Sequence, residues 1–193
     1  MTNFPFFETL CIEQQQIKNC AYHQQRYEQT LRQFYGESAV KIHDLFDIIH
    51  HQADFSTLLE LTRCRVDYNA TTFQIQFFPY QRRKIARFQP VICDEIDYSL
   101  KYSDRTLLNQ LLAQRGDCDE IMIIKQGKVT DCSIGNLAFR LGEHWFTPDS
   151  PLLAGTQRCA LLEQGILQEI PIFAEDVLKF DEIRVINAMN GLV

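Results

Sequence analysis

Four short stretches of this chain carry residue types that could do chemistry: "SLKYSDR" with Lys101, "GKVTDCSIGN" with Asp131, "LLAGTQR" at 152–158 and "INAMNG" at 186–191. Lys101 follows a strand-like run and stands just before a predicted helix, and Asp131 ends a short strand. "AGTQ" opens a helix from a glycine, so free backbone N–H groups and the positive end of the helix dipole would face an anion there. "INAMNG" closes the last strand. A free lysine amine has a reference pKa of about 10.4 and needs desolvation or a covalent carbonyl partner to act near neutrality. A buried carboxylate is costly unless it meets a cation or a set of donors. Lysine for an aldehyde, carboxylate for a ring nitrogen and N–H cradle for a phosphate together suit pyridoxal 5'-phosphate (PLP).

The elements that must position these residues follow from periodicity and turn signals. "FFETLCIEQQQIKNC" has two apolar runs separated by glutamines, a strand pair, and Tyr27, Leu31, Phe34 and Tyr35 then fall at helical spacing up to Gly36. A second helix is predicted through "KIHDLFDIIHH", and "LLELTRCRVDYNATTFQIQFF" reads as a hairpin whose arms meet at "DYNAT". A strand and crossover follow. "SDRTLLNQLLAQRG" is then a helix with Ser103 or Asp104 near its cap, and "EIMIIKQGKVTD" is a hairpin with a Gln-Gly turn. Two short strands around "LGEH", a helix over "GTQRCALLEQG", a strand "QEIPIF", a short helix "AEDVLKF" and a final strand "EIRVINA" complete the chain. The expected class is α+β in two lobes, a small α+β lobe over 1–97 and a β-rich cofactor lobe over 98–193.

Composition sets the outer bounds. The 193 residues are 46% hydrophobic and 23% charged, which excludes disorder and allows one sizeable core or two small ones. With 25 acidic against 19 basic residues, the net charge of -6 gives no electrostatic case for nucleic acid or an anionic membrane. The basic run "QRRKIAR" is accordingly a solvated strand face. Seven cysteines, odd in number and never spaced C-x-x-C, fit reduced thiols in a cytoplasm. No window has the length of a membrane span, and "MTNFPFFETL" lacks the basic start of a leader, so a cytosolic protein is expected. The five histidines, His50-His51 among them, form no metal-binding pair with a carboxylate, and no metal is assigned.

The four stretches, in order, resemble the motifs of the class IV aminotransferases, the fold type IV PLP enzymes that include branched-chain and D-amino acid aminotransferases and 4-amino-4-deoxychorismate lyase. "LKYSDR" is similar to the segment that binds the cofactor as a Schiff base, implying that role for Lys101. "GKVTDCSIGNLAF" is similar to the segment whose acid pairs with the pyridine nitrogen, implying Asp131, at a position where most members carry Glu. "FTPDSPLLAGTQR" resembles the phosphate loop, implying Thr156 and Gln157. "INAMNG" resembles a second phosphate-contacting turn, with Ala188 where some members carry threonine. Upstream, "FETL" and "YHQQRYEQTL" resemble the family's "ET" strand and histidine-arginine helix, implying Arg26 as a charged phosphate ligand. The matches run over 7–191, with both ends shorter than in longer members.

"KxxDR" resembles the lyases, so a PLP enzyme acting on an amine substrate is expected, most like 4-amino-4-deoxychorismate lyase, which gives 4-aminobenzoate and pyruvate for folate synthesis. The alternatives are an aminotransferase of a small or branched-chain amino acid and a PLP-binding relative without turnover. The resemblance also implies a homodimer. Arg63, Arg65 and Arg105 are candidates for a substrate carboxylate. Arg63 and Arg65 share a strand face, where a cross-strand ion pair is the favoured reading over a substrate carboxylate, and Arg105 is able to bridge to Asp104. His23 is expected to be a packing or hydrogen-bonding residue of its helix rather than a catalytic base.

Overall fold

A computed structural model describes residues 4–58 and 60–192, and the chain forms two compact units. The first runs to Arg82 and takes back Leu100–Asp104; the second holds Arg83–Ser99 and the chain from Arg105 onward.

In the first unit, β1 (Phe6–Glu13) turns through Gln14 and Gln15, both at positive φ, into the two-residue β2 (Gln16–Ile17). Helix α1 (Cys20–Tyr35) follows and ends on Gly36, whose φ of 84° suits glycine and whose N–H donates to Arg32 O at 3.0 Å. Helix α2 (Leu45–Gln52) is capped by Asp44, which accepts from Asp47 N–H at 3.0 Å. Strands β3 (Thr62–Tyr68) and β4 (Phe73–Pro79) form the expected hairpin, with Asn69 Oδ1 accepting the N–H groups of Thr71 and Thr72 at 3.0 and 2.9 Å in the connecting turn. The sheet order is β2-β1-β3-β4. Phe6, Leu10 and Ile12 lie on one face of β1 and bury against Tyr27 and Leu31 of α1, Leu45 and Ile49 of α2, and Cys64, Val66 and Tyr68 of β3.

In the second unit, β5 (Phe88–Ile92) pairs in parallel with β6 (Glu120–Lys125), which is why the chain after Arg82 belongs here. The crossover between them carries α3 (Thr106–Leu112). Its N-cap is Arg105, directly after Ser103 and Asp104. The Gln126-Gly127 turn, at φ 51° and 77°, has the two positive φ values of a tight hairpin turn and joins β6 to β7 (Lys128–Val129). A four-stranded sheet follows in the order β10-β9-β8-β11, from β8 (Asn136–Leu141), β9 (His144–Pro148), β10 (Leu167–Ile170) and β11 (Glu182–Ile186). Helix α4 (Thr156–Glu163) is the crossover between the parallel pair β9 and β10. Met122, Ile124, Val129, Leu137, Phe139 and Val185 form the main core of this unit, and Ala138, Leu161, Leu167 and Ile186 bury α4 against its sheet.

Candidate active site

Lys101 is placed by backbone pairing. The segment 100–104 runs antiparallel to the start of β1: Phe7 N–H donates to Lys101 O at 3.2 Å, Ser103 N–H donates to Pro5 O at 2.7 Å, and Tyr102 bridges Phe6. The half-buried Lys101 side chain lies over the Phe7 ring, Nζ 4.8 Å from its centroid. The Arg65 guanidinium also lies over that ring, at 4.0 Å. Arg65 is ion-paired along its own strand with Asp67, at 2.8 and 2.5 Å, and not across strands, because residues two apart share a face. Arg63 lies over the Phe78 ring at 4.7 Å.

On the opposite face of β1 sits a buried charged triad. Glu8 is fully buried and accepts from Arg26 Nε at 2.9 Å, from Arg26 Nη2 at 2.5 Å and from His23 Nδ1 at 2.7 Å. Burial by itself would push the Glu8 carboxyl up, but the Arg26 charge and the hydrogen bonds from His23 and Arg26 outweigh it and hold it at about 2. Burial pushes the His23 imidazole down from its ordinary value, with the charges of Arg26 and Lys101 acting the same way and Glu8 opposing. His23 is therefore neutral and donates Nδ1–H to the carboxylate. That is the hydrogen-bonding role expected of it. Arg26 is thus held by an acid that its motif did not single out. The signal was present, since Glu8 interrupts the apolar run "FFETLCI" on its core-facing side.

In the second unit three of the motifs converge. Asp131 is buried, with Oδ1 accepting from Asn136 Nδ2 at 2.8 Å and Oδ2 accepting from the Leu152 and Leu153 N–H groups, both at 3.1 Å. Burial pushes its carboxyl up to about 7, against the opposing pull of Asn136, the two N–H groups and the Arg158 charge. Arg158, itself buried in α4, donates to Pro148 O at 3.0 Å and pairs with Glu169, which ties the first turn of α4 to β9 and β10. Thr156 is buried at the helix start and Gln157 is half-buried beside it. Ala188 lies in the turn closed by Asn187, whose Oδ1 accepts from Met189 N–H at 2.9 Å and Asn190 N–H at 3.0 Å. Asn187 Nδ2 donates to Ile134 O at 3.2 Å, which brings this turn against the Asp131 segment. The contact is tight, because a Cβ on Gly135 would lie 2.6 Å from Ile186 O. Arg105 joins the same neighbourhood, donating to Ser133 O at 2.6 Å and to Tyr98 Oη at 3.3 Å.

Each unit therefore gathers its own share of the expected residues: Lys101, Arg26, Arg63 and Arg65 in the first, Asp131, Thr156, Gln157, Ala188 and Arg105 in the second. Among the described residues no group of three or more His, Cys, Asp or Glu side chains is placed to hold a metal ion, and no helix is long and apolar enough to cross a membrane.

A family model for amino-transferase class IV matches residues 99–193, which contain every motif of the second half. An uncharacterized protein of Haemophilus influenzae is 63% identical over 189 residues, covering 98% of this chain and 100% of its own length. The crystal structure of a candidate 4-amino-4-deoxychorismate lyase from Haemophilus somnus is 58% identical, with a TM-score of 0.96 and full coverage of both chains. This chain belongs to the class IV aminotransferase family. It is an enzyme of that family, with the fold type IV architecture. The PLP-bound form of a hypothetical aminotransferase from Mycobacterium tuberculosis shares the fold, with 16% identity, a TM-score of 0.78 and coverage of 98% of this chain and 79% of that one.

The family implies PLP as cofactor, and the residues present fit it. Asp131 is a buried carboxyl with three hydrogen-bond donors turned toward it and, among the described residues, no cationic group in hydrogen-bond contact, an environment that would suit a protonated ring nitrogen. Three backbone segments meet beside it, with no room for a Cβ at Gly135 or Gly155.

The Asp131 environment has a measurable consequence in cofactor-free protein. A carboxyl whose folded pKa is raised, here from 3.8 to about 7, favours the folded state fully below pH 3.8, and that contribution is lost as pH rises toward 7. Asp131→Asn has no such proton to lose. As pH rises from 4 to 7, its stability should gain on wild type by up to about 4 kcal/mol. Urea unfolding of both proteins across that range checks this, and a pH-independent difference would contradict it.

Proposed function

We propose that this enzyme is a PLP-dependent lyase acting on 4-amino-4-deoxychorismate, with release of 4-aminobenzoate and pyruvate. The observation that carries this reading is the end-to-end similarity to the candidate lyase from Haemophilus somnus, at 58% identity with no part of either chain left over. The placement of Arg105, which donates to Ser133 O two residues after Asp131 and to Tyr98 Oη, supports it, since "KxxDR" is the segment by which the chain resembles lyases.

Lys101 would hold the cofactor covalently, and Asp131 would meet its ring nitrogen. Thr156, Gln157 and the turn at Ala188 would face its phosphate, with Arg26, oriented by Glu8, as the charged ligand. When bound, PLP supplies an electron sink for the bond-breaking step at the substrate. Lys101 Nζ moves the proton at the substrate carbon, and the aromatic ring of Phe7 beneath it supports the ammonium between transfers. Asp131, kept from water by burial, supplies the negative charge that holds the ring nitrogen protonated. Arg63, Arg65 and Arg105 are the candidate guanidinium groups for a substrate carboxylate, Arg65 already paired with Asp67 and Arg105 with Ser133 O. The reading includes a cytoplasmic homodimer, for which light scattering on the loaded enzyme should give twice the chain mass.

Product analysis tests the reaction. Purified, PLP-loaded protein should release 4-aminobenzoate from 4-amino-4-deoxychorismate in step with pyruvate. Keto-acid formation from small or branched-chain amino acids, with no 4-aminobenzoate, would replace the lyase reading with that of an aminotransferase.

A further inference from the structure

Asn136 is the first residue of β8 and is buried, and its amide is engaged at both ends. Nδ2 donates to Asp131 Oδ1 at 2.8 Å and to Leu153 O at 2.8 Å, while Oδ1 accepts from Gly155 N–H at 3.1 Å. Both amide hydrogens and the carbonyl are thereby used. One side chain thus joins the acid two residues after β7 to Leu153 and Gly155, just ahead of α4. Gly155 shows how close the approach is. A Cβ there would stand 2.1 Å from Asn136 Oδ1, whereas its φ of -71° is open to any residue, so proximity and not backbone conformation reserves the position for glycine.

We propose that Asn136 is a positioning residue that couples the Asp131 carboxylate to the start of α4, so that the ring-nitrogen end and the phosphate end of one cofactor molecule are held at a fixed separation. This rests on the reading of Asp131 and the first turn of α4 as cofactor contacts. Asn136 supplies neither charge nor a reacting atom. It fills the one carboxylate oxygen that the Leu152 and Leu153 N–H groups do not reach, and it pins the loop that brings those N–H groups in. Among the described residues, the charge acting on Asp131 is that of Arg158 from α4, which is tied to Glu169, and Glu120 from β6 acts on the adjacent Cys132 thiol. None of them replaces the lost amide donor.

The test compares ligands that use one end of the site with a ligand that uses both. Wild type, Asn136→Ala and Gly155→Ala are titrated with PLP by its visible absorbance and with inorganic phosphate by competition. Asn136→Ala should weaken PLP roughly 10- to 100-fold, the loss expected for a hydrogen bond to a buried charged group. Phosphate alone should change by less than about threefold, because the N–H groups of the helix start remain. Gly155→Ala keeps the amide but forces it aside, and should reproduce the pattern. It also serves if Asn136→Ala does not fold. PLP affinity within threefold of wild type in a folded variant would overturn the coupling, and equal losses for phosphate and PLP would reduce Asn136 to a support for the helix start. Wild-type protein that takes up no PLP would instead overturn the cofactor reading, and this inference with it.

Discussion

Glu8→Gln should destabilise the protein by about 3–5 kcal/mol at pH 7, the loss typical when one partner of a buried ion pair is removed. Glutamine has nearly the same shape but presents an N–H₂ group to donors, and it leaves the Arg26 guanidinium and the His23 Nδ1–H without the anion they both face. The pH dependence identifies the cause. Because Glu8 is held at about 2 against an ordinary 4.5, its contribution is fully present above pH 4.5 and is lost as pH falls toward 2. The stability gap between wild type and Glu8→Gln should therefore narrow by about 3 kcal/mol over that interval. Urea unfolding at pH 7 and pH 2 measures both numbers. A gap below about 1 kcal/mol at pH 7 would mean that the triad is not an energetically coupled unit.

Lys101→Ala should lower turnover by at least about 10³-fold while the fold persists, because in the proposed reaction Lys101 is both the covalent nucleophile and the group that moves the proton. The separation of the two effects follows from how the residue is held. Its segment is anchored through Lys101 O, through Ser103 N–H and through the Tyr102 bridge, none of which involves the lysine side chain. The cation over the Phe7 ring is lost, at a cost of about 0.5–1 kcal/mol. Steady-state kinetics beside a thermal melt checks this: a large loss of rate with a shift of a few degrees is expected, and retained turnover would remove Lys101 from the chemistry.

Much of this architecture was legible from local pattern alone. The β3–β4 hairpin at "DYNAT" and the Gln126-Gly127 turn announce themselves through turn chemistry, and the apolar spacing of Tyr27 and Leu31 through helical period. What local pattern could not reveal were pairings between distant segments. Nothing near Lys101 shows that 100–104 returns to the first unit to bridge β1. Arg65 was expected to pair across strands, but its acid lies two residues along its own strand. At the site, Lys101 and Asp131 stood out as charged residues at the ends of apolar runs, and family resemblance added Arg26. Glu8 and Asn136 were passed over because each acts through a neighbour: one holds an arginine eighteen residues on, the other a loop about as far away. A polar residue inside an apolar run was the available signal in both cases.

The measurement that bears most directly on the enzyme's chemistry is reduction of the PLP-loaded protein with borohydride, followed by proteolysis and mass mapping of the modified peptide. The visible band should bleach, and one phosphopyridoxyl group should be found, on Lys101. Incorporation on another lysine, or none at all, would contradict the assignment of Lys101 as the residue that holds the cofactor.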